Sequence, residues 1–233
     1  MGEILITAGV VTLLYVGWQL WIGDMIYGAE RNATGHELSQ TWAEQYVPQL
    51  TPDTDGDAPG DPVTADPVIL TQPADGETFG IMRIPRFGAD YAVPIAGGIT
   101  RSGTLDNIGI GHYPGSKMPG EVGNFALAAH RTTYGKPFNR IADLRVNDAI
   151  VIETRDGWYT YRFRTLEYVT PNAVEVLLPV PQELDAPAGT RYITMTSCSP
   201  MYAMSERIVA YGVFESFTPR SAGAPQSVSE AAA

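Results

Sequence analysis

Cysteine occurs once in this chain, at position 198, within Thr194-Met195-Thr196-Ser197-Cys198-Ser199-Pro200. No disulfide can form within the chain, and a free Cys is most often a small buried hydrophobe. Its neighbours point to chemistry instead. Pro200 stops strand pairing two residues later, so the thiol lies at a strand-to-loop edge. The next strand begins near Glu206-Arg207-Ile208. If the two pair antiparallel, Arg207 falls across from Cys198 despite nine residues of separation. A guanidinium there stabilises a thiolate and can donate to a developing oxyanion.

A thiol of pKa ~8.5 needs such help at neutral pH, and it needs a proton carrier for a leaving amine. Histidine is the usual carrier. The chain has three: His36, His112 and His130. His36 falls in a polar segment near the N-terminus and reads as a surface residue. His112 reads as a turn residue in Gly111-His112-Tyr113-Pro114-Gly115. His130 closes the apolar run NFALAAH (124–130) and opens a polar loop, a position where β-rich folds hold working residues. Taken alone, any of the three is as readily a hydrogen-bonded loop residue.

The elements that must position these groups are short strands. With 24 Gly, 18 Pro and only 18% charged residues, the composition suits a turn-rich β domain. Apolar runs fall at 79–85, 91–96, 124–130, 149–153, 158–168, 191–196 and 208–214. Thr154-Arg155-Asp156-Gly157 reads as a hairpin turn. Tyr159, Tyr161 and Phe163 alternate with Thr160, Arg162 and Arg164, which predicts one buried face. Residues 137–144 and 171–177 can form one or two helical turns. Strands at this spacing predict an all-β barrel or sandwich over residues 77–217.

The flanks differ in kind. Residues 4–23 (ILITAGVVTLLYVGWQLWIG) carry no charge, and twenty residues at ~1.5 Å each span ~30 Å. They predict a single transmembrane anchor, with Tyr15, Trp18, Trp21 and Tyr27 toward a water interface; a cleaved signal peptide is the rival reading. Residues 24–50 read as a juxtamembrane helical segment, with Leu38, Trp42 and Tyr46 on one face. Residues 51–76 hold six Asp, five Pro and no basic residue, a linker composition. Asp53, Asp55 and Asp57 suggest a calcium loop. Thr64 stands where its bidentate Glu should fall, which argues against that reading. Residues 218–233 read as a disordered tail. With a net charge of −11 and no basic cluster, nucleic acid is not expected as a partner.

The pattern resembles the sortases, and most closely the class E housekeeping sortases of actinobacteria. The matching stretches are GIGHYPGSKMPGEVGNFALAAHRTTYGKPFNRI (109–141), TMTSCSP (194–200) and SERIVAYG (205–212), in the order His, Cys, Arg. The resemblance implies an eight-stranded sortase-type β-barrel with short helices, outside the cytoplasm behind its membrane helix. It makes Cys198 the nucleophile, His130 the general acid/base and Arg207 the clamp for substrate and oxyanion, with no cofactor or metal. It implies cleavage between Thr and Gly of a sorting signal, Leu-Ala-x-Thr-Gly or Leu-Pro-x-Thr-Gly. It also implies transfer of the surface protein bearing that signal to a peptidoglycan-precursor amine. The family usually reads Thr-Leu-x-Thr-Cys; here Ser197 precedes the Cys, and its hydroxyl is a candidate oxyanion donor. Tyr113 is a candidate reader of the second signal position. The alternatives are an L,D-transpeptidase-like cell-wall cysteine enzyme, a papain-like endopeptidase and a non-catalytic tethered scaffold. Papain-like enzymes place Cys before His, on a helix.

Overall fold

A computed structural model describes residues 2–18, 22–47 and 65–229. Eight strands close into one barrel: β1 (Thr78–Arg83), β2 (Val93–Gly97), β3 (Ile110–His112), β4 (Gly123–Ala129), β5 (Ala149–Glu153), β6 (Gly157–Val169), β7 (Arg191–Ser199) and β8 (Glu206–Pro219). Their order around the barrel is β1-β2-β3-β4-β7-β8-β6-β5. The β2–β3 and β4–β7 pairs are parallel and the rest antiparallel. Parallel pairing needs a crossover. Residues 98–109 supply one, and residues 130–190, which include β5 and β6, supply the other.

The interior follows from alternation. Tyr159, Tyr161 and Phe163 of β6 point inward, as their period of two requires, and meet Phe125 and Leu127 of β4, Ile193 and Met195 of β7, and Ile208 and Ala210 of β8. The hairpin at 154–157 and the 3-10 turns at Ile141–Asp143 and Val174–Leu177 fall where the sequence places them. The third strand does not: His112, read as a turn residue, ends β3 with 1% exposure. Its ring stacks on Phe125 at 5.3 Å, and Nε2 lies 3.0 Å from the Lys117 carbonyl oxygen and 2.9 Å from Ser116 Oγ. Burial holds this imidazole below the ordinary histidine range, against the pull of the Lys117 carbonyl. A strand of three residues containing a glycine leaves too little periodicity to read.

Two helices precede the barrel: α1 (Gly2–Gly17) and α2 (Gly23–Gln45). Among the described residues no helix is long and apolar enough to cross a membrane. Within the apolar stretch expected at 4–23, α1 ends at Gly17 and α2 begins at Gly23, and residues 19–21 lie outside the described residues. Every described side chain of α1 is exposed, including Ile4, Leu5, Leu13 and Leu14. Helix α2 begins at Gly23 and stops before residue 50, because Tyr46 turns extended two residues ahead of Pro48. Trp42 and Leu38 pack on Ile81 and Ala92, and α2 lies so close that a Cβ at Gly35 would sit 1.9 Å from the Ala92 carbonyl oxygen.

The presumed linker and tail are also partly built into the fold. Residues 65–76 run along the barrel: Ala65 packs on the core, Tyr159 Oη donates to the Val68 carbonyl, and Gln72 Nε2 donates to the Ser116 carbonyl at 2.7 Å. The candidate calcium residues Asp53, Asp55 and Asp57 lie outside the described residues. Instead of disorder from Thr218, β8 continues to Pro219, followed by a 3-10 turn (Arg220–Ala222) and the short α3 (Gln226–Ser229). The physical reason is Arg220. Its buried guanidinium donates to Glu153 Oε1 (3.1 Å) and lies 4.7 Å from the Trp158 ring and 6.0 Å from the Trp42 ring. Residues 230–233 lie outside the described residues.

Glu153 is 1% exposed and also receives Arg83 Nε at 2.7 Å and Ser39 Oγ at 2.6 Å. Burial opposes its ionisation, but Arg83 and the three hydrogen-bond donors outweigh this and hold its carboxyl below the ordinary glutamate range. With a lowered folded-state pKa, its contribution to stability is full above the ordinary glutamate range and is lost as pH falls through the lowered value. Glu153→Ala leaves the buried Arg220 and the half-buried Arg83 without their shared carboxylate and should cost roughly 3–5 kcal/mol in urea denaturation at neutral pH. Glu153→Gln should flatten the acid side of the stability profile relative to the wild type; parallel profiles would contradict the ion-network account.

Candidate active site

Strand β7 runs between β4 and β8, and its two pairings build the site. On one side Cys198 pairs with Arg207. On the other, Ala128 pairs with Thr196 in parallel, so the same register carried two residues further sets His130 beside Cys198. Neighbouring strands lie ~4.8 Å apart, so the three residues form a short row across the sheet. They also share a face. Met195, Ser197 and Ile208 alternate inward with Phe125, Leu127 and Ala129, whereas Thr194, Thr196, Cys198, Arg207 and Val209 alternate outward. The thiol is half-buried at the rim of this outer face.

Each side chain has a defined setting. His130 Nε2 lies 2.6 Å from Asp106 Oδ1, and its ring stacks on Tyr134 at 5.1 Å and 29°. Arg207 Nη1 donates to the carbonyls of Met204 in the β7–β8 loop (3.2 Å) and of Glu206 at the start of β8 (2.9 Å). The guanidinium that reaches Cys198 is that of Arg131, whose Nη1 donates to the Cys198 carbonyl at 3.3 Å. Beside this row an open cavity of about 480 Å³ is bounded by Trp18 and Tyr27 of the N-terminal segment, Thr132 and Tyr134 after β4, and Tyr202 of the β7–β8 loop. A thiol, an imidazole and a guanidinium on one exposed face constitute the parts for nucleophilic attack on a carbonyl, proton transfer and charge stabilisation.

These features coincide with what comparison finds. The Sortase domain family model matches residues 82–215. The chain belongs to the sortase family. Sortase SrtE1 of Streptomyces coelicolor is 36% identical over 98% of this chain, which spans about 60% of that protein's length. Sortase SrtE2 of the same organism is 30% identical over 91% of the chain and 79% of its own length. Among solved structures, the SrtA sortase of Actinomyces oris matches with a TM-score of 0.67 and 36% identity, covering 70% of this chain and 93% of that one. Sortase E1 of S. coelicolor with a tripeptide in the active site matches with a TM-score of 0.62 and 36% identity, covering 67% and 99%.

Within this sortase barrel the sequence-derived residues separate. Cys198 and Arg207 are register partners, and His130 follows β4 two residues beyond Ala128, the partner of Thr196. His36 lies on α2, with Nε2 3.3 Å from the Asp90 carbonyl oxygen, and His112 is buried inside the barrel. Ser197 is adjacent to Cys198 in sequence but faces the interior, and its hydroxyl donates to the Ala129 carbonyl at 2.7 Å. As an oxyanion donor it is therefore misplaced: alternation along a strand turns the residue before the nucleophile away from the outer face. Tyr113 does lie on that face, with its hydroxyl 3.0 Å from Thr196 Oγ1. Asp106, Arg131 and Tyr134 were not legible in advance. Asp106 is 24 residues before His130, and only the β2–β3 crossover brings it near.

Ser197→Ala should lose about 1 kcal/mol of stability with its hydrogen bond while kcat stays within about threefold. A loss of ~10²–10³ in kcat with the fold intact would return that hydroxyl to the oxyanion site; denaturation and peptide-cleavage rates together check it.

Proposed function

We propose that this chain is a membrane-anchored transpeptidase acting on C-terminal sorting signals. The Cys198 thiolate attacks the carbonyl between Thr and Gly of the signal. Arg207 and backbone amides near Cys198 receive the oxyanion, and His130 protonates the departing glycine amine. The resulting thioester is resolved by an amine of a peptidoglycan precursor, whose attack expels the Cys198 thiolate and restores the enzyme. The observation that supports this reading is the register that pairs Arg207 with Cys198 on one side of β7 and runs β4, which leads into His130, parallel to it on the other. The tripeptide in the active site of the S. coelicolor relative supports a peptide substrate.

The preference for Leu-Ala-x-Thr-Gly rests on Tyr113. When the Thr196 hydroxyl proton points to the Leu127 carbonyl (3.2 Å), Tyr113 is the donor in its 3.0 Å bond to Thr196. The phenolic oxygen keeps acceptor capacity for a backbone N–H, which alanine at the second position offers and proline lacks. Anchoring rests on residues 4–23, which are uncharged, with apolar side chains on α1 that no protein surface covers. The catalytic barrel then lies outside the cytoplasm, where surface proteins meet cell-wall precursors.

Incubation with Leu-Ala-x-Thr-Gly peptide and an amine should yield both a thioester at Cys198 and a joined product by mass spectrometry, with Cys198→Ala giving neither. Transfer by Cys198→Ala would end this reading. Arg207→Lys keeps charge but loses the planar fork, and should lower kcat by ~10²-fold. Tyr113→Phe should narrow the ratio of kcat/KM between the alanine and proline peptides; an unchanged ratio would remove Tyr113 from specificity. Full-length protein should sediment with membranes, and deletion of residues 2–23 should release it to the soluble fraction.

A further inference from the structure

We propose that Asp106 and Arg31 are positioning residues for His130, so that one turn of α2 is a working part of the active site. This rests on the reading of Cys198 and His130 as a catalytic pair. Asp106 Oδ1 lies 2.6 Å from His130 Nε2. A carboxylate only accepts hydrogen bonds, so Nε2 carries the proton, and Nδ1 is left to exchange one with the thiol or the leaving amine. The tautomer that catalysis uses is thus set by a residue outside the row of three.

Asp106 is not held by a strand. It follows a single π-type turn (Arg101–Leu105), to which its N–H donates through the Arg101 carbonyl at 2.8 Å. Arg101 Nε approaches Oδ1 only to 3.6 Å and is largely exposed. The firmer hold comes from α2, where Arg31 Nη2 donates to the Asp106 carbonyl at 2.6 Å from a buried position, 6% exposed. Burial pushes the Arg31 guanidinium below its ordinary range, with Asp106 the leading opposing charge.

Tyr27, one turn earlier on the same face of α2, approaches Tyr134 at 6.3 Å, and Tyr134 stacks on the His130 ring. The backbones also meet: a Cβ at Gly135 would lie 2.8 Å from the Gly28 amide nitrogen. Residues 27–31 therefore engage both neighbours of the imidazole, Asp106 through its backbone carbonyl and the Tyr134 phenol on the ring face.

The test uses the full chain. Ring ¹⁵N signals of His130, read without substrate, should show a proton on Nε2 in the wild type. Asp106→Asn lets the amide donate to Nε2 and should add the Nδ1–H form, with kcat for thioester formation falling ~10²–10⁴-fold while KM stays within about twofold. Arg31→Met keeps much of the bulk but removes the donor, and should lower kcat ~10-fold with the same tautomer mixing. An unaltered tautomer in both variants, or unaltered kcat in Asp106→Asn, would overturn the proposal. If the wild type forms no thioester, the catalytic reading fails, but the ring signals still report whether Asp106 sets the tautomer.

Discussion

Everything at the site depends on which strands flank β7. Its pairing with β8 comes from a short connection and is nearly local. Its parallel pairing with β4 is not, because 61 residues lie between the end of one and the start of the other. That parallel neighbour leads into His130, which lies 68 positions before Cys198 in the chain. The constraint is also strict. Side chains alternate faces, so a one-residue slip of β4 against β7 would set Ala129, rather than His130, beside Cys198. The inward set resists such a slip, since Phe125, Leu127 and Ala129 would have to exchange the barrel core for its surface.

Helix α2 complements the barrel as a strut. Its C-terminal half carries Ser39 and Trp42 to the ion network of Glu153, Arg83 and Arg220, a network that also fixes the chain after β8. Its N-terminal half carries Tyr27 and Arg31 to the loop around His130 and to Asp106. Between them Gly35 permits backbone contact with Ala92. The segment that follows the proposed anchor is therefore packed onto the barrel along its length.

Legibility in the sequence tracked the range of the interactions. The buried face of β6 and the hairpin before it are local patterns and were readable. So was Arg207 opposite Cys198, because one loop fixes that pairing. His130 was singled out by its position at a strand end, and the family resemblance strengthened it. Three-residue β3 carried too weak a pattern, which hid the true place of His112. Ser197 was misjudged because sequence adjacency to a nucleophile is the opposite of spatial adjacency within a strand. The order of Arg220 depended on Glu153, Trp42 and Trp158, which no local window contains. Asp106 and Arg31 were hidden for the same reason: each acts through a contact made only after the barrel closes and α2 docks.

The central claim is that Cys198 is flanked on one open face by Arg207 and His130, and the single cysteine makes it directly measurable. The rate of Cys198 alkylation by iodoacetamide at neutral pH should fall roughly tenfold in Arg207→Ala and in His130→Ala, with both variants folded, because each removes a polar neighbour of the sulfur. The same alkylation rate in all three proteins would mean that the sulfur does not feel its supposed neighbours, and the account of the site would be wrong.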